Sequence, residues 1–507
     1  MRKRLITTIL SCLAIVSVTD AASRKYVTYE EYGALGDGVH DDQAAIIAAH
    51  EAANKLGLPV RATDGKTYYI GQGDKVAVIQ TDVDFGKAKF IINDVVTDTY
   101  SAPIFRVEST QKPIQITDVH SLRREQRNLG VSLPARSLVY VENRNKKVYI
   151  RFGPNQNSGT PQQEVFIADK KGNVAPSSPI TWDYDEITRM TAYPIDRKTL
   201  TIKGGIFTTI ANQAESRYTY RGRGFVINRS NVRVENVTHY VEGELDHGAP
   251  YSGFLVFSYC ADVVVSDCLL TPHKTYTTIG SAGRPVSMGS YDMTAGNCVN
   301  ALFQHVRQTI DIDNRAYWGL FASNFCKDLR MDDMIISRFD AHMGVANVTL
   351  TNSVFGYMGV QAVGFGTMLM KNCEVHRNTF VWLRDDYGST WDGEIIFKDC
   401  TLKPPHGERH VTLIAGSNPG THDFGYICHL PRRVKVENLT IDDSNLTNDS
   451  YSGPFVFGDF RRDASAPNLL PYLPTEEVTL KGIKVLSGKE LRLSSNTQLF
   501  SKTKMSP

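Results

Sequence analysis

The chain has 507 residues and carries 56 basic against 54 acidic side chains, a formal net charge of +2. That balance removes the electrostatic argument for a nucleic-acid or membrane-surface partner. The length admits a large core, arranged as several domains or as one elongated unit.

Residues 1–23 have the layout of a secretory signal: basic Arg2, Lys3 and Arg4, an apolar run from Leu5 to Val18, and small residues around Ala21. The run is too short for a spanning helix, and no other segment could cross a bilayer. Cys12 ends a weak lipoprotein-like match, but Leu10 fits it poorly and the apolar run continues past it, so ordinary cleavage is expected. The expected location is secreted or periplasmic.

Residues 24–104 are read as an N-terminal cap and the first coils. Tyr32–Asp42 precedes an Ala-rich run of helical period that Asp41 or Asp42 would cap. The glycines there match neither a Walker loop nor a dinucleotide fingerprint. The helix is expected to plug the open end of a stack of strands, whose unpaired edge would otherwise invite aggregation. Residues 105–194 follow a different pattern. Val148–Phe152 and Glu164–Asp169 alternate as strands between turn signals. This predicts a β-rich insertion beside the first coils, able to wall one end of a cleft.

From 195 to 486 one recipe recurs, starting at Leu200, Val232, Val263, Ala301, Leu329, Val348, Met368, Ile395, Val434 and Val478. Each segment reads apolar, any, apolar, mostly polar, then a small polar residue, usually Asn or Asp. The starts from Ala301 to Ile395 are 28, 19, 20 and 27 residues apart. Helical repeats need about 33 to 47 residues per unit, so the shorter spacings exclude them. They do hold one coil of short strands joined by tight bends, where Asn and Asp tolerate left-handed backbone angles. The predicted fold is all-β: a right-handed single-stranded parallel β-helix with an N-terminal capping helix and a β-rich insertion, its hand taken from the rule for parallel crossovers. Cys268, Cys373 and Cys400 share one slot of the recipe and are expected inside. A Cys373–Cys400 disulfide is compatible with this and not required. No Cys or His pair has zinc spacing, so no metal is expected. The polar tail, 487–507, is expected to fray.

The Tyr32–Asp42 stretch, the helix after it and the Gly-ended strand Lys66–Gly71 together resemble the N-terminal motif of pectate-lyase-superfamily β-helix proteins. That group includes polygalacturonase-like hydrolases, polysaccharide lyases and phage tailspikes. The resemblance implies a polysaccharide or oligosaccharide lying in a groove along the coil. The four short signatures of polygalacturonases are absent, which argues against pectin.

A second strand follows the recipe in the central coils: Thr309–Arg315, Arg338–Gly344, Tyr357–Val363 and Arg377–Leu383. Alternation along a strand turns Ile310, Ile312, Phe339, Ala341, Met343, Met358, Val360, Ala362, Phe380 and Trp382 inward. Asp311, Asp313, Arg315, Arg338, Asp340, His342, Tyr357, Gln361 and Arg377 are left facing water. Counting from the recipe starts places Asp311 near Asp340 and Asp313 near His342. Arg384, with Asp385 and Asp386, could rim the patch, as could the loops Glu242–Gly253 and Thr271–Gly289, whose individual charges are expected to be solvated.

Two enzymes and one binder fit this pattern. In a hydrolase, Asp313 and Asp340 would form the acid–base pair, about 6.5–9.5 Å apart for inversion, with Asp311 as a third carboxylate and His342 tuning the pair. Arg338 and Arg377 would hold a uronate carboxylate, and Arg315, Tyr357, Gln361 and Arg384 would line the substrate. In a lyase, His342, Tyr357 or Arg338 would take the proton beside a carboxylate neutralised by Arg or by calcium; no other cofactor is expected. The third class is a non-catalytic glycan-binding β-helix. Three carboxylates favour hydrolysis.

Overall fold

The computed structural model describes residues 25–71, 73, 75–95, 101–447 and 450–506. The expected signal at 1–23 and Cys12 lie outside them. Among the described residues no helix is long and apolar enough to cross a membrane.

The ten recipe starts are consecutive partners in one parallel ladder. Leu200 pairs with Val232, Val232 with Val263, Val263 with Ala301, and so on through Leu329, Val348, Met368, Ile395 and Val434 to Val478. The chain is therefore a parallel β-helix. The small polar slot is its bend: Asn236, Asp267, His305, Asp333, Asn352, Asn372, Asp399 and Asn438 all have φ between 49° and 58°. A β-branched side chain resists that backbone, whereas Asn and Asp adopt it at little cost. The slot also bonds along the stack, as Asn372 Nδ2 donates to Asn352 Oδ1 at 2.8 Å. Inside run the apolar rows, joined by buried Cys268, Cys373 and Cys400, whose sulfurs are unbridged.

The helix Gln43–Leu56 closes the first coil, burying Ile46, Ala49, His50 and Ala53. Asp41 Oδ1 accepts from the Gln43 N–H at 2.9 Å, while Asp42 turns away to accept from the Leu35 N–H at 2.7 Å. Gly57, at φ 67°, ends the helix.

The insertion folds as a four-stranded antiparallel sheet of Ile114–Gln115, Arg189–Pro194, Ser137–Val148 and Thr160–Ala168. It has its own apolar core around Val139, Val141, Phe166 and Ile180. The expected strand Val148–Phe152 is not formed, because the preceding strand ends at Val148 and Tyr149 takes φ 53°. The chain there leaves the sheet and crosses to the coil. Buried Lys327, on the coil, bonds Glu164 of the insertion and pins the two together.

The expected strand Thr309–Arg315 is also absent. Thr309–Ala316 is a looped-out turn on which Asp311, Asp313 and Arg315 are exposed and Ile310 and Ile312 only half-buried. The coil below Arg338–His342 is completed instead by Phe321–Asn324, with Ser323 beside Ala341. Isoleucines at alternate positions imitate a strand, but Asp311 Oδ1 accepts from the Asp313 N–H at 3.0 Å and closes a local turn.

Candidate active site

The candidate site is built on the strand Ile335–Thr351. Phe339 and Ala341 are fully buried in the coil interior, so Arg338, Asp340 and His342 stand on the outward face, as alternation requires. That face is roofed, however: Arg338 and Asp340 are 1% and 0% exposed, not the solvent-facing pair expected. The Trp318 ring lies 4.5 Å from the Arg338 guanidinium. A Cβ on the adjacent Gly319 (φ 133°) would meet Arg338 Cβ at 2.9 Å, so only glycine lets this segment lie flat on the strand.

Asp340 is the hub. It accepts from Arg338 at 2.6 Å, from Arg384 at 2.9 and 3.0 Å, and from the Tyr291 hydroxyl at 3.2 Å. Burial opposes its ionisation, but the two guanidinium charges outweigh that and hold the carboxyl below its usual range. Asp386 is treated alike, between Arg384 at 2.9 Å and Arg151 at 2.8 Å, and its pKa is likewise lowered. His342 Nδ1 donates to Asn324 Oδ1 at 3.0 Å, which leaves Nε2 to accept from the Tyr387 hydroxyl at 3.3 Å. Burial first, and then the Arg384 charge, push its pKa down to about 3, so the imidazole is neutral.

These groups border a cleft of about 350 Å³, within the size range of small-ligand sites. Its floor includes Tyr291, Asn324 and His342; Arg384 and Trp318 form one side. Arg151, from the segment that leaves the insertion sheet, stands with Arg384, since both bond Oδ2 of Asp386. Tyr218 and Tyr220 stand at the mouth with rings stacked 6.3 Å apart. The loops expected to rim a groove do contribute, through Ser252, Ser287 and Gly289. Their charges are not all solvated: His273 is buried, 2.9 Å from Glu244.

The remaining expected residues divide. Gln361 is drawn in, since its Oε1 accepts from Arg338 at 3.1 Å and its backbone pairs with Asp340. It therefore stands beside Asp340, not beside His342. The shift arises at Gly356–Met358, two residues more than the strand below, which moves the partner of Arg338 from Tyr357 to Gly359. Tyr357 bonds the Tyr317 carbonyl, and Met343 and Met358 are not in the interior. Arg377 donates to the Met358 carbonyl at 2.7 Å and lies 5.7 Å from the Trp382 ring. Trp382 faces outward because Val381 takes the interior slot. Asp313 is elsewhere, 2.8 Å from His376, which also bonds Glu374 at 2.7 Å. Asp311 and Arg315 remain on the same exposed turn.

Sequence reasoning missed Arg151, Trp318, Tyr291, Tyr387 and the Tyr218–Tyr220 pair. Arg151, Tyr291, Tyr218 and Tyr220 belong to loops and Trp318 to the three-residue strand Tyr317–Gly319, and in sequence only the run Arg384–Tyr387, charged and directly after an alternating strand, gave a usable signal. Among the described residues no cluster of His, Cys, Asp and Glu could hold a metal ion.

Fold and site together define a parallel β-helix protein with a cationic, aromatic-edged cleft on one outward face. No protein-family model and no curated protein sequence matches the chain. Solved structures do. The chain is similar to the tailspike of Pseudomonas phage phi297, at 13% identity over 95% of this chain and 84% of that one, with a TM-score of 0.50. It is similar to the tailspike of Pseudomonas phage LKA1, at 13% identity over 94% and 84%, with a TM-score of 0.50. At that identity the likeness is one of fold.

Proposed function

We propose that the protein acts on an anionic polysaccharide outside the cell, binding it in the Arg151–Arg384 cleft and cleaving it by β-elimination. The observation that carries this reading is the cleft lining, which holds two arginines, a neutral histidine and tyrosines, and no carboxylate. A two-carboxylate hydrolysis needs one free acid and one free carboxylate facing the sugar. Here Asp340 and Asp386 are each held between two guanidinium groups.

Elimination needs what the lining offers. Arg151 and Arg384 bind the uronate carboxylate and neutralise it, which acidifies the adjacent C–H. The bound carboxylate offsets the Arg384 charge and makes His342 Nε2 a better base. His342 Nε2, given up by the Tyr387 hydroxyl as substrate binds, takes the proton, the electron pair becomes a carbon–carbon double bond, and the bond to the leaving glycosidic oxygen breaks. Tyr291 turns its hydroxyl from Asp340 to give that oxygen its proton, and the proton taken by His342 passes through water back to Tyr291. Asp340 holds Tyr291 and Arg384 in position. The exposed Tyr218–Tyr220 stack favours a second reading, glycan capture without cleavage. Incubation with polygalacturonate, alginate and hyaluronan decides between them. Ultraviolet-absorbing unsaturated product, lost in His342→Ala, supports elimination; retention of a polymer with no product supports capture.

A further inference from the structure

A second concave site lies where the insertion meets the coil. It has two lobes, of about 260 and 310 Å³, which share Arg124, Thr181, Phe365 and Asp392 in their lining. They are two halves of one groove, bridged by the ion pair Arg124–Asp392 at 2.6 Å. Arg124 comes from the insertion and Asp392 from the strand Trp391–Leu402, so the groove exists only because the two units are docked.

Its floor is aromatic. Trp182 meets Phe365 edge-on at 4.9 Å and Tyr426 at 5.8 Å, and all three residues are half-buried. Ile427 beside them is 69% exposed. Around this floor stand both signs of charge: Lys146 and Asp183 in one lobe, Glu394 and Arg433 in the other. An aromatic cluster with charged groups of both signs around it suits a ligand with C–H faces and hydroxyl edges.

We propose that this groove is an auxiliary glycan-binding site that holds a stretch of the same polysaccharide away from the reacting bond. The choice of a saccharide occupant rests on the proposed function of the cleft, to which the groove is adjacent. A single aromatic wall separates them: Tyr426 touches Tyr149 (5.1 Å), Tyr149 touches Tyr387 (5.9 Å), and Tyr387 touches His342 (5.2 Å).

The test is affinity electrophoresis through gels containing polygalacturonate, alginate, hyaluronan or dextran. The wild type, Trp182→Ala, Trp182→Phe, Phe365→Ala, Arg384→Ala and the Trp182→Ala/Arg384→Ala double variant are compared. Trp182→Ala and Phe365→Ala are expected to lose retardation several-fold, Trp182→Phe to keep it, and Trp182→Ala to act on short oligosaccharides like the wild type. The double variant is expected to migrate as in a polymer-free gel. Retardation of Trp182→Ala and Phe365→Ala equal to the wild type, or no retardation of the wild type in any gel, overturns the proposal. If Arg384→Ala is fully retarded while Trp182→Ala is not, the groove stands and the reading of the cleft falls.

Discussion

Asp340 and Arg384 lie 44 residues apart in sequence and 2.9 Å apart in space, joined across the intervening coil that carries Gln361, in a place where Asp340 has no exposure to solvent. The pair is the keystone of the candidate site. It orients the guanidinium that faces the cleft and fixes Tyr291, and the Arg384 charge, after burial, helps keep His342 neutral.

Removing the Asp340 charge should therefore destabilise the fold. Asp340→Asn leaves Arg338, 1% exposed, without its counter-charge, a cost of about 3–5 kcal/mol for breaking a buried pair. Urea denaturation measures it. Wild-type stability in this variant would show that the pair is not formed.

Stability should rise between about pH 3 and about pH 6.5 and fall above it. His342 and His50 sit at about 3 in the folded chain, whereas an unfolded histidine titrates near ~6.5. The unfolded state binds more protons in that window, so stability grows with pH across it. Asp340 and Asp386, lowered from the usual carboxylate range, add the same sign below about pH 4. His273 works the other way. Burial lowers its pKa, but Glu244 and Asp292 overcome that and raise it to about 9. Its contribution is complete below ~6.5 and lost as pH climbs towards about 9. Melting temperatures from pH 4 to 9 should peak near neutrality, and His273→Gln should flatten the alkaline limb.

Asp313→Asn should leave activity within about twofold of wild type. Its carboxylate is 47% exposed and engaged with His376 on a surface turn, where such pairs contribute little. A collapse of turnover would return Asp313 to the reaction.

The bends should be selective. At Asn372, φ 53°, Gly should be tolerated, whereas Val should cost about 1–2 kcal/mol from left-handed strain alone. Thermal unfolding of the two variants gives the comparison, and equal stabilities would refute the role of this slot.

The coil was legible because the turns repeat the same two instructions, an apolar alternation and a residue, mostly Asn or Asp, that accepts the left-handed bend. Ten starts read from sequence are ten rungs of one ladder. The site was half legible. Phe339 and Ala341 point inward, so Arg338, Asp340 and His342 had to share the outer face. What covers that face is non-local. Arg151 is donated by the insertion, Trp318 by the short strand Tyr317–Gly319 that only Gly319 allows to lie down, and Tyr291 by a neighbouring coil. None of these leaves a periodic trace. The Thr309–Arg315 turn misled for the opposite reason, since its two isoleucines mimic a strand while its aspartates close a turn.

The central claim is elimination at an arginine-lined cleft, and the direct measurement is the ultraviolet absorbance of products released from polyuronates by the wild type and by His342→Ala. Absorbance is expected to rise with each chain break in the wild type and to vanish in the variant. New reducing ends without absorbance, undiminished in His342→Ala, would contradict it.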